Sequence, residues 1–257
     1  MTKGEGRGIQ SIDIGGRLLS ALVDADGPMM LRDLAAVADL APAQAHAYIS
    51  SFRRLDLVEQ DSSTGRYQLG PLAMRLGLAR ISSFAPLRAA RDAAVRLELE
   101  LGLMVALVVW GVSAPTAVQV QTGRYPLNVN LRPGMALPIL GSAAGRVFAA
   151  FGWPTDIQSR IDAEFSSAYG GQKPSGLERE TFDAELESIR RSGFAITKSE
   201  PVPNIDTLAA PILGADGEVF AVITVVGESQ HLDLSPDGIP LRSLLTLTEQ
   251  LSRGGKR

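Results

Sequence analysis

The chain has 257 residues, enough for one large or two ordinary domains, and 45% of them are hydrophobic, so a sizeable core can form. It carries 25 Lys and Arg against 28 Asp and Glu, a formal charge of −3, and contains no cysteine, which excludes disulfides, thiolate metal sites and cysteine nucleophiles. The two histidines, His46 and His231, lie far apart and suggest no histidine-rich metal site, and no run of about 18 uncharged apolar residues suggests a membrane helix.

Met1–Gly8 is polar and Gly-rich, without the apolar segment of a secretory signal, which points to a cytoplasmic protein. Ile9–Val23 holds Ile12, Leu18, Leu19 and Leu22 and predicts a first helix, followed by a turn over Asp24–Pro28 and a short strand at Met29-Met30. Leu31, Leu34, Ala35 and Ala38 recur at helical spacing. Asp39–Ala41 breaks that pattern, and Pro42 can open the next helix because its missing N–H would be unpaired there anyway. That helix sets Ala45, Ile49 and Phe52 on one face and Gln44, Ala47 and Arg54 away from it. Leu57–Gln60 and Arg66–Leu69 read as extended, joined by the turn-forming Asp61–Gly65. Helix, turn, helix and hairpin in this order is the layout of a winged helix-turn-helix, which lays its second helix in a DNA major groove. A small helical interaction module has the same pattern. Through Arg80 the charges balance, one Lys and eight Arg against nine Asp and Glu, so one copy should bind DNA weakly. Two or more copies on one site would raise the affinity without new contacts.

Gly70-Pro71 starts a further helix, PLAMRLGLARISS, with Leu72, Leu76 and Ala79 on one stripe; it reads as a connector and part of a dimer contact. Leu87, Ala90, Ala94, Leu97 and Leu101 form another helical stripe, ending at Gly102. Met104–Trp110 is a continuous apolar run, as in a buried strand, whereas Thr116–Thr122 and Leu127–Leu131 alternate and predict half-exposed antiparallel strands. Gly141-Ser142 opens a helix through Phe151, ended by Trp153-Pro154. Pro154–Phe165 and Leu177–Ser192 predict two more helices, the second capped by Gly193. Phe194–Ser199 and Leu208–Leu213 are strand candidates separated by the loop Glu200–Asp206. Ala215-Asp-Gly217 signals a hairpin before the strand Val219–Val226, and Ile239–Ser252 is a closing helix. Helices flanking an antiparallel sheet make this second part an α+β domain.

Few residues suggest chemistry. Gly141-Ser-Ala-Ala-Gly145 precedes a helix, and its small residues either let backbone N–H groups reach a carboxylate or phosphate or permit close packing. It is not a nucleophile elbow, since Ser142 directly follows Gly141, and no phosphate-binding or dinucleotide fingerprint occurs. Glu178, Glu180, Glu185, Glu187, Arg190 and Arg191 read as a solvated helix face. His46 lies in the second helix, where it can touch DNA or serve packing or the surface, and His231 follows a polar loop without an evident partner. No catalytic constellation assembles, so the expected protein is not an enzyme and needs neither cofactor nor metal.

Taken in order, the segments Ile9–Asp13, Thr64–Gly70, Gly134–Pro138 leading into Ser142–Arg146, Ser192–Phe194 and Ala209–Ile212 make the chain resemble the IclR family of bacterial transcriptional regulators over nearly its whole length. The resemblance implies a winged helix-turn-helix DNA-binding domain over 1–70, a linker helix over 71–84, and a GAF-like effector-binding domain over 85–257 with an antiparallel sheet. It implies dimers or tetramers that bind double-stranded DNA under the control of small organic acids or aromatic metabolites. DNA contacts would then come from Pro42, Ala43, Gln44, His46, Ala47, Arg53, Arg54 and Arg66. The family's recognition helix usually opens with a basic residue and Ser-Thr, followed by an Arg; Pro42, Ala43, Gln44 and Ala47 depart from that. Gln can still bond adenine bidentately, and Arg53, Arg54 and Arg66 could hold phosphates. The family's ligand pocket maps onto Val129, Leu137, Ser142, Ala143, Ala144, Thr197, Thr207 and Thr224. A frequent acidic residue is Thr197 here, a frequent Cys is Thr207 and a Ser is Val226, so a small carboxylate held by neutral donors is expected. Two functions stay open: a ligand-controlled transcription factor, and a metabolite sensor or interaction protein that has lost specific DNA binding.

Overall fold

The computed structural model describes residues 9–25, 27–112, 114–125, 127–152, 157–166, 174 and 176–254. The chain divides into two compact units, one ending at Phe84 and one beginning at Ala85.

In the first unit α1 (Gln10–Asp24), α2 (Leu31–Val37) and α3 (Pro42–Arg54) precede a hairpin of β1 (Val58–Gln60) and β2 (Tyr67–Leu69). Leu18, Leu22, Leu34, Ala45, Ile49, Val58 and Tyr67 form its core, which is the period of the predicted stripes made real. Each Leu or Ile buried this way contributes roughly 1.5–3 kcal/mol. The strand expected at Met29-Met30 is a single bridge, Met29 exchanging both backbone hydrogen bonds with Tyr67 at 2.9 and 2.8 Å. α4 (Pro71–Ser83) follows with no buried residue; Met74, Leu76 and Leu78 are all exposed.

The second unit is a five-stranded antiparallel sheet in the order β4-β3-β7-β6-β5. Its strands are β3 (Met104–Trp110), β4 (Pro115–Gln121), β5 (Ala195–Lys198), β6 (Ile205–Leu213) and β7 (Val219–Glu228). α5 (Ala85–Leu101) and α9 (Ile239–Gly254) pack on one face. α6 (Ala143–Phe151) packs on the other, with α8 (Arg179–Ser192) lying over it; α7 (Ile157–Phe165) stands between them in sequence. Gly193 ends α8 in the left-handed conformation at φ 83°, the C-terminal cap its position predicts.

Register fixes which side chains share a face. Thr197 pairs with Thr207, Thr207 with Val226 and Val226 with Met104; one pleat along, Ala195, Ala209, Thr224 and Ala106 form the neighbouring row. Alternation puts both rows on the α6 side, while Leu208, Val225 and Val105 point toward α5 and α9.

Four expectations need correction. Leu127–Leu131 forms no strand, although Leu127, Val129 and Leu131 do turn inward, covering Met104, Ile205 and Val226. The alternation was that of a strap laid over the sheet's end, without a partner strand. The loop predicted over Glu200–Asp206 is shorter, because Ile205, Asp206 and Thr207 already belong to β6. His231 has partners: its ring stacks on Tyr125 at 4.6 Å and its Nδ1 lies 3.4 Å from Glu228. Glu185 is half-buried and accepts from Arg146, so its side of α8 is no simple solvated face. The predicted helix end at Trp153-Pro154 lies outside the described residues.

Candidate functional site

The second helix of the first unit, α3, starts at Pro42 and buries Ala45 and Ile49. Its other side is open: Pro42, Ala43, Gln44, His46, Ala47, Arg53 and Arg54 are all exposed, as is Arg66 on the hairpin. Their side-chain chemistry is not equally free. Arg66 Nη1 donates to the Pro28 carbonyl at 3.1 Å, tying the hairpin to the turn before α2. Arg54 Nη2 donates to Ser51 Oγ at 3.1 Å, and Ser51 in turn donates to the Ala47 carbonyl at 3.1 Å. The hairpin tip is built by Asp61, whose carboxylate accepts from Ser63 Oγ at 2.6 Å, Ser63 N at 2.7 Å and Thr64 N at 3.2 Å. These donors, the Ser63 hydroxyl foremost, hold the Asp61 carboxyl below the usual aspartate range. Gln60 Nε2 closes the loop onto the Gly65 carbonyl at 2.9 Å.

The second unit gathers most of the other candidates on the α6 side of the sheet. Thr197, Thr207 and Thr224 occupy two adjacent rows, with small neighbours in Ala106, Ala195 and Ala209. Ala143 and Ala144, buried at the start of α6, belong to the same packed cluster as Ala106, Ala195 and Ala209. Val129 packs at the strap end of this face, and Leu137 against the α6 cluster. Thr224 is 5% exposed, and among the described residues its Oγ1 is a buried side-chain polar atom without a hydrogen-bond partner. A buried hydroxyl in that condition costs about 1–3 kcal/mol.

The start of α6 is held from several sides. Ser142 caps the helix: its Oγ accepts from Gly145 N at 3.0 Å and donates to the Pro138 carbonyl at 2.6 Å. Gly145 is there for packing, since a Cβ would meet the Pro138 oxygen at 2.4 Å and the Ile139 Cα at 2.5 Å. Glu164 of α7, 9% exposed, accepts both Ile139 N and Leu140 N at 2.8 Å. Arg146, 6% exposed, donates to the Leu140 carbonyl at 2.9 Å and to Glu185 at 2.7 Å, with Glu200 at 3.6 Å. Sequence reasoning missed Glu164, Arg146 and Glu185 as a group. Only their partners 24 to 39 residues away give them meaning.

A separate cleft of about 490 Å³ opens between α5 and α9, lined by Arg96, Glu100, Arg242 and Thr246 among others. It lies on the opposite face of the sheet from Thr224, and its Glu100 already accepts from Ser243 at 2.5 Å. Among the described residues no three side chains gather as metal ligands, and no helix is long and apolar enough to cross a membrane.

Comparison with known proteins matches residues 11–62 to the IclR helix-turn-helix domain and residues 82–253 to the bacterial transcriptional regulator IclR C-terminal family. The glycerol operon regulatory protein of Streptomyces griseus is 26% identical over 249 residues, covering 93% of this chain and 92% of that protein. An IclR transcriptional regulator of Silicibacter sp. TM1040 aligns with a TM-score of 0.83 at 20% identity, covering 96% of both chains. An IclR homologue from Microbacterium hydrocarbonoxydans, solved in complex with 4-hydroxybenzoate, aligns with a TM-score of 0.72 at 17% identity, covering 96% of this chain and 99% of that one.

Proposed function

The chain belongs to the IclR family of bacterial transcriptional regulators, with a helix-turn-helix DNA-binding domain and a C-terminal effector-binding domain, and is no enzyme; on that premise we propose that it is a cytoplasmic, ligand-controlled regulator in which a small carboxylate or aromatic acid bound beside α6 changes promoter binding by α3. The observation that carries the ligand half is the orphaned Thr224 hydroxyl, buried among alanines on the α6 side of the sheet. With Gly145 N taken by the Ser142 cap, the first-turn N–H groups left for an anion among the described residues are those of Ala143 and Ala144. Thr197, Thr207 and Thr224 would add hydroxyls, and Val129 and Leu137 an apolar wall. The complex of the Microbacterium hydrocarbonoxydans homologue with 4-hydroxybenzoate supports an aromatic carboxylate as the first class to try. For the DNA half, Pro42, Ala43, Gln44, His46, Ala47, Arg53, Arg54 and Arg66 are the candidate contacts, the arginines for phosphates. The apolar side chains α4 leaves exposed support a homodimer formed through that helix over 71–84, and pairs of dimers would make tetramers.

Control is a coupled equilibrium. A ligand shifts DNA affinity only through its different affinity for two arrangements of the dimer, a coupling of typically about 1–3 kcal/mol. The test is a mobility-shift titration of the full-length protein with DNA from its own upstream region, with and without 4-hydroxybenzoate and benzoate. A shift that weakens steeply with salt and responds to one of the acids is expected. Absence of any shift at low salt, with or without the acids, overturns the DNA half; a shift indifferent to every carboxylate overturns the ligand class.

A second reading, a ligand sensor without sequence-specific DNA binding, draws on the lack of cations at Ala43 and Ala47. Ala47→Arg separates the two: DNA binding that appears only in the variant favours the sensor.

A further inference from the structure

The outward face of α3 has a chemistry of its own. At about 100° per residue, Ala43, Ala47 and Arg54 fall opposite the buried line of Ala45 and Ile49, with Gln44 on one flank and His46 on the other. Two independent features leave the centre of this face without a charged reader. Ser51, on the same side, spends its proton on the Ala47 carbonyl and its lone pair on Arg54, which folds the guanidinium back along the helix. No Lys, Arg, Asp or Glu occurs between Pro42 and Phe52. What the first two turns present outward is two methyl groups at the centre, flanked by the Gln44 carboxamide on one side and the His46 imidazole on the other.

Base edges in the major groove offer two partners for such a surface. The C5-methyl of thymine takes apolar contact, and the N6 and N7 edge of adenine takes a bidentate Gln; guanine is read by Arg or Lys and cytosine by an acid. We propose that Ala43, Gln44 and Ala47 are the specificity-determining residues of this regulator and that they read thymine methyls and an adenine. This rests on the DNA-binding reading given above. Ala43 and Ala47 are one turn apart, about 5–6 Å between Cβ atoms. That is under two base-pair steps of about 3.4 Å, so both contacts and the Gln44 contact fall within three consecutive A·T pairs of one half-site.

The test is selection of bound duplexes from a random library by the full-length protein, followed by resynthesis of the enriched duplex with deoxyuridine replacing thymine one position at a time. Deoxyuridine keeps pairing and removes only the methyl. The expected result is three consecutive A·T pairs in each half-site, with one or two thymines whose replacement weakens binding about fourfold, ~0.8 kcal/mol, the worth of one buried methylene. Gln44→Ala, at an exposed position, should relax the adenine preference there, and Ala47→Arg should exchange a thymine preference for guanine. The deoxyuridine arm uses the natural protein and does not depend on either variant folding. Enrichment of G·C pairs at these positions, indifference to deoxyuridine at every thymine, or binding without any enriched sequence overturns the proposal while DNA binding stands. No binding at all overturns the DNA-binding reading and this inference with it.

Discussion

Arg146 of α6 donates to Glu185 of α8 at 2.7 Å, 39 residues away, and from the same guanidinium reaches the Leu140 carbonyl that precedes α6. One buried cation thus ties the start of α6 to the helix stacked above it. The side chain of Arg146 is 7% exposed and that of Glu185 27%.

Glu185→Gln should destabilise the effector domain. Arg146 would keep only the more exposed Glu200 at 3.6 Å as an anionic neighbour among the contacts described. The cost should be about 1.5–3 kcal/mol, as for a hydrogen bond to a charged group. It stays under the 3–5 kcal/mol of a fully buried pair because water reaches Glu185. Urea unfolding should show a lower midpoint with an unchanged slope, and an unmoved midpoint would refute the role of the pair.

Two glycines on helices should respond oppositely to alanine. At Gly145 a Cβ collides with backbone, the Pro138 oxygen at 2.4 Å, so Gly145→Ala should destabilise despite the roughly 1 kcal/mol gain in helix propensity. At Gly77 of α4 a Cβ meets nothing within 4 Å, so Gly77→Ala should stabilise by about 0.5–1 kcal/mol. Thermal unfolding of both variants is the check; a stabilised Gly145→Ala would show that Pro138 and Ile139 can give way.

Thr224→Val removes the orphaned hydroxyl at nearly constant volume. Without ligand the variant should be more stable by about 1 kcal/mol or more, since an unpaired buried polar atom disappears. Its melting temperature should then fail to rise with the carboxylate that raises that of the natural protein. A variant that keeps the full ligand response would remove Thr224 from the site.

The hairpin tip should depend on pH through Asp61. Its folded-state carboxyl titrates below the ordinary aspartate range, because Ser63 and Thr64 donate to the charged form. The depressed value means that the tip's stabilisation is fully present above the unfolded value and is lost as pH falls through the folded one. The amide resonances of Ser63 and Thr64 should therefore titrate with a midpoint below that of a free aspartate, and Asp61→Asn should flatten the curve. A midpoint at or above the ordinary value would show that the turn does not hold the charge.

Period and punctuation made the elements legible. Pro42, Gly193 and the Val219–Val226 run lie where helix starts, helix ends and buried strands are physically permitted, and the structure uses them so. Leu127–Leu131 shows the limit. A period of two reports which side chains turn inward, and a strap over Met104 and Val226 satisfies it as well as a strand does. Side-chain networks were illegible for a different reason. Glu164 meets Ile139 N and Glu185 meets Arg146 only after intervening helices fold the chain back, Tyr125 meets His231 only after the chain has returned through the sheet, and no local spacing encodes these returns. At the candidate ligand face, the resemblance pointed to Thr224, whereas the absence of a partner for its hydroxyl is visible only in three dimensions.

The alternation within β6 carries one more consequence. Thr207 and Ala209 face α6, while Leu208 between them is fully buried toward α5 and α9. The two layers therefore share one wall a single backbone thick. A molecule that draws Thr207 toward itself must carry Leu208 along, and α9, packed on β6, must yield or resist. If a ligand engages Thr207 as proposed, the response should be graded by how stiffly the far layer is packed, and substitutions there should retune sensitivity without touching the ligand.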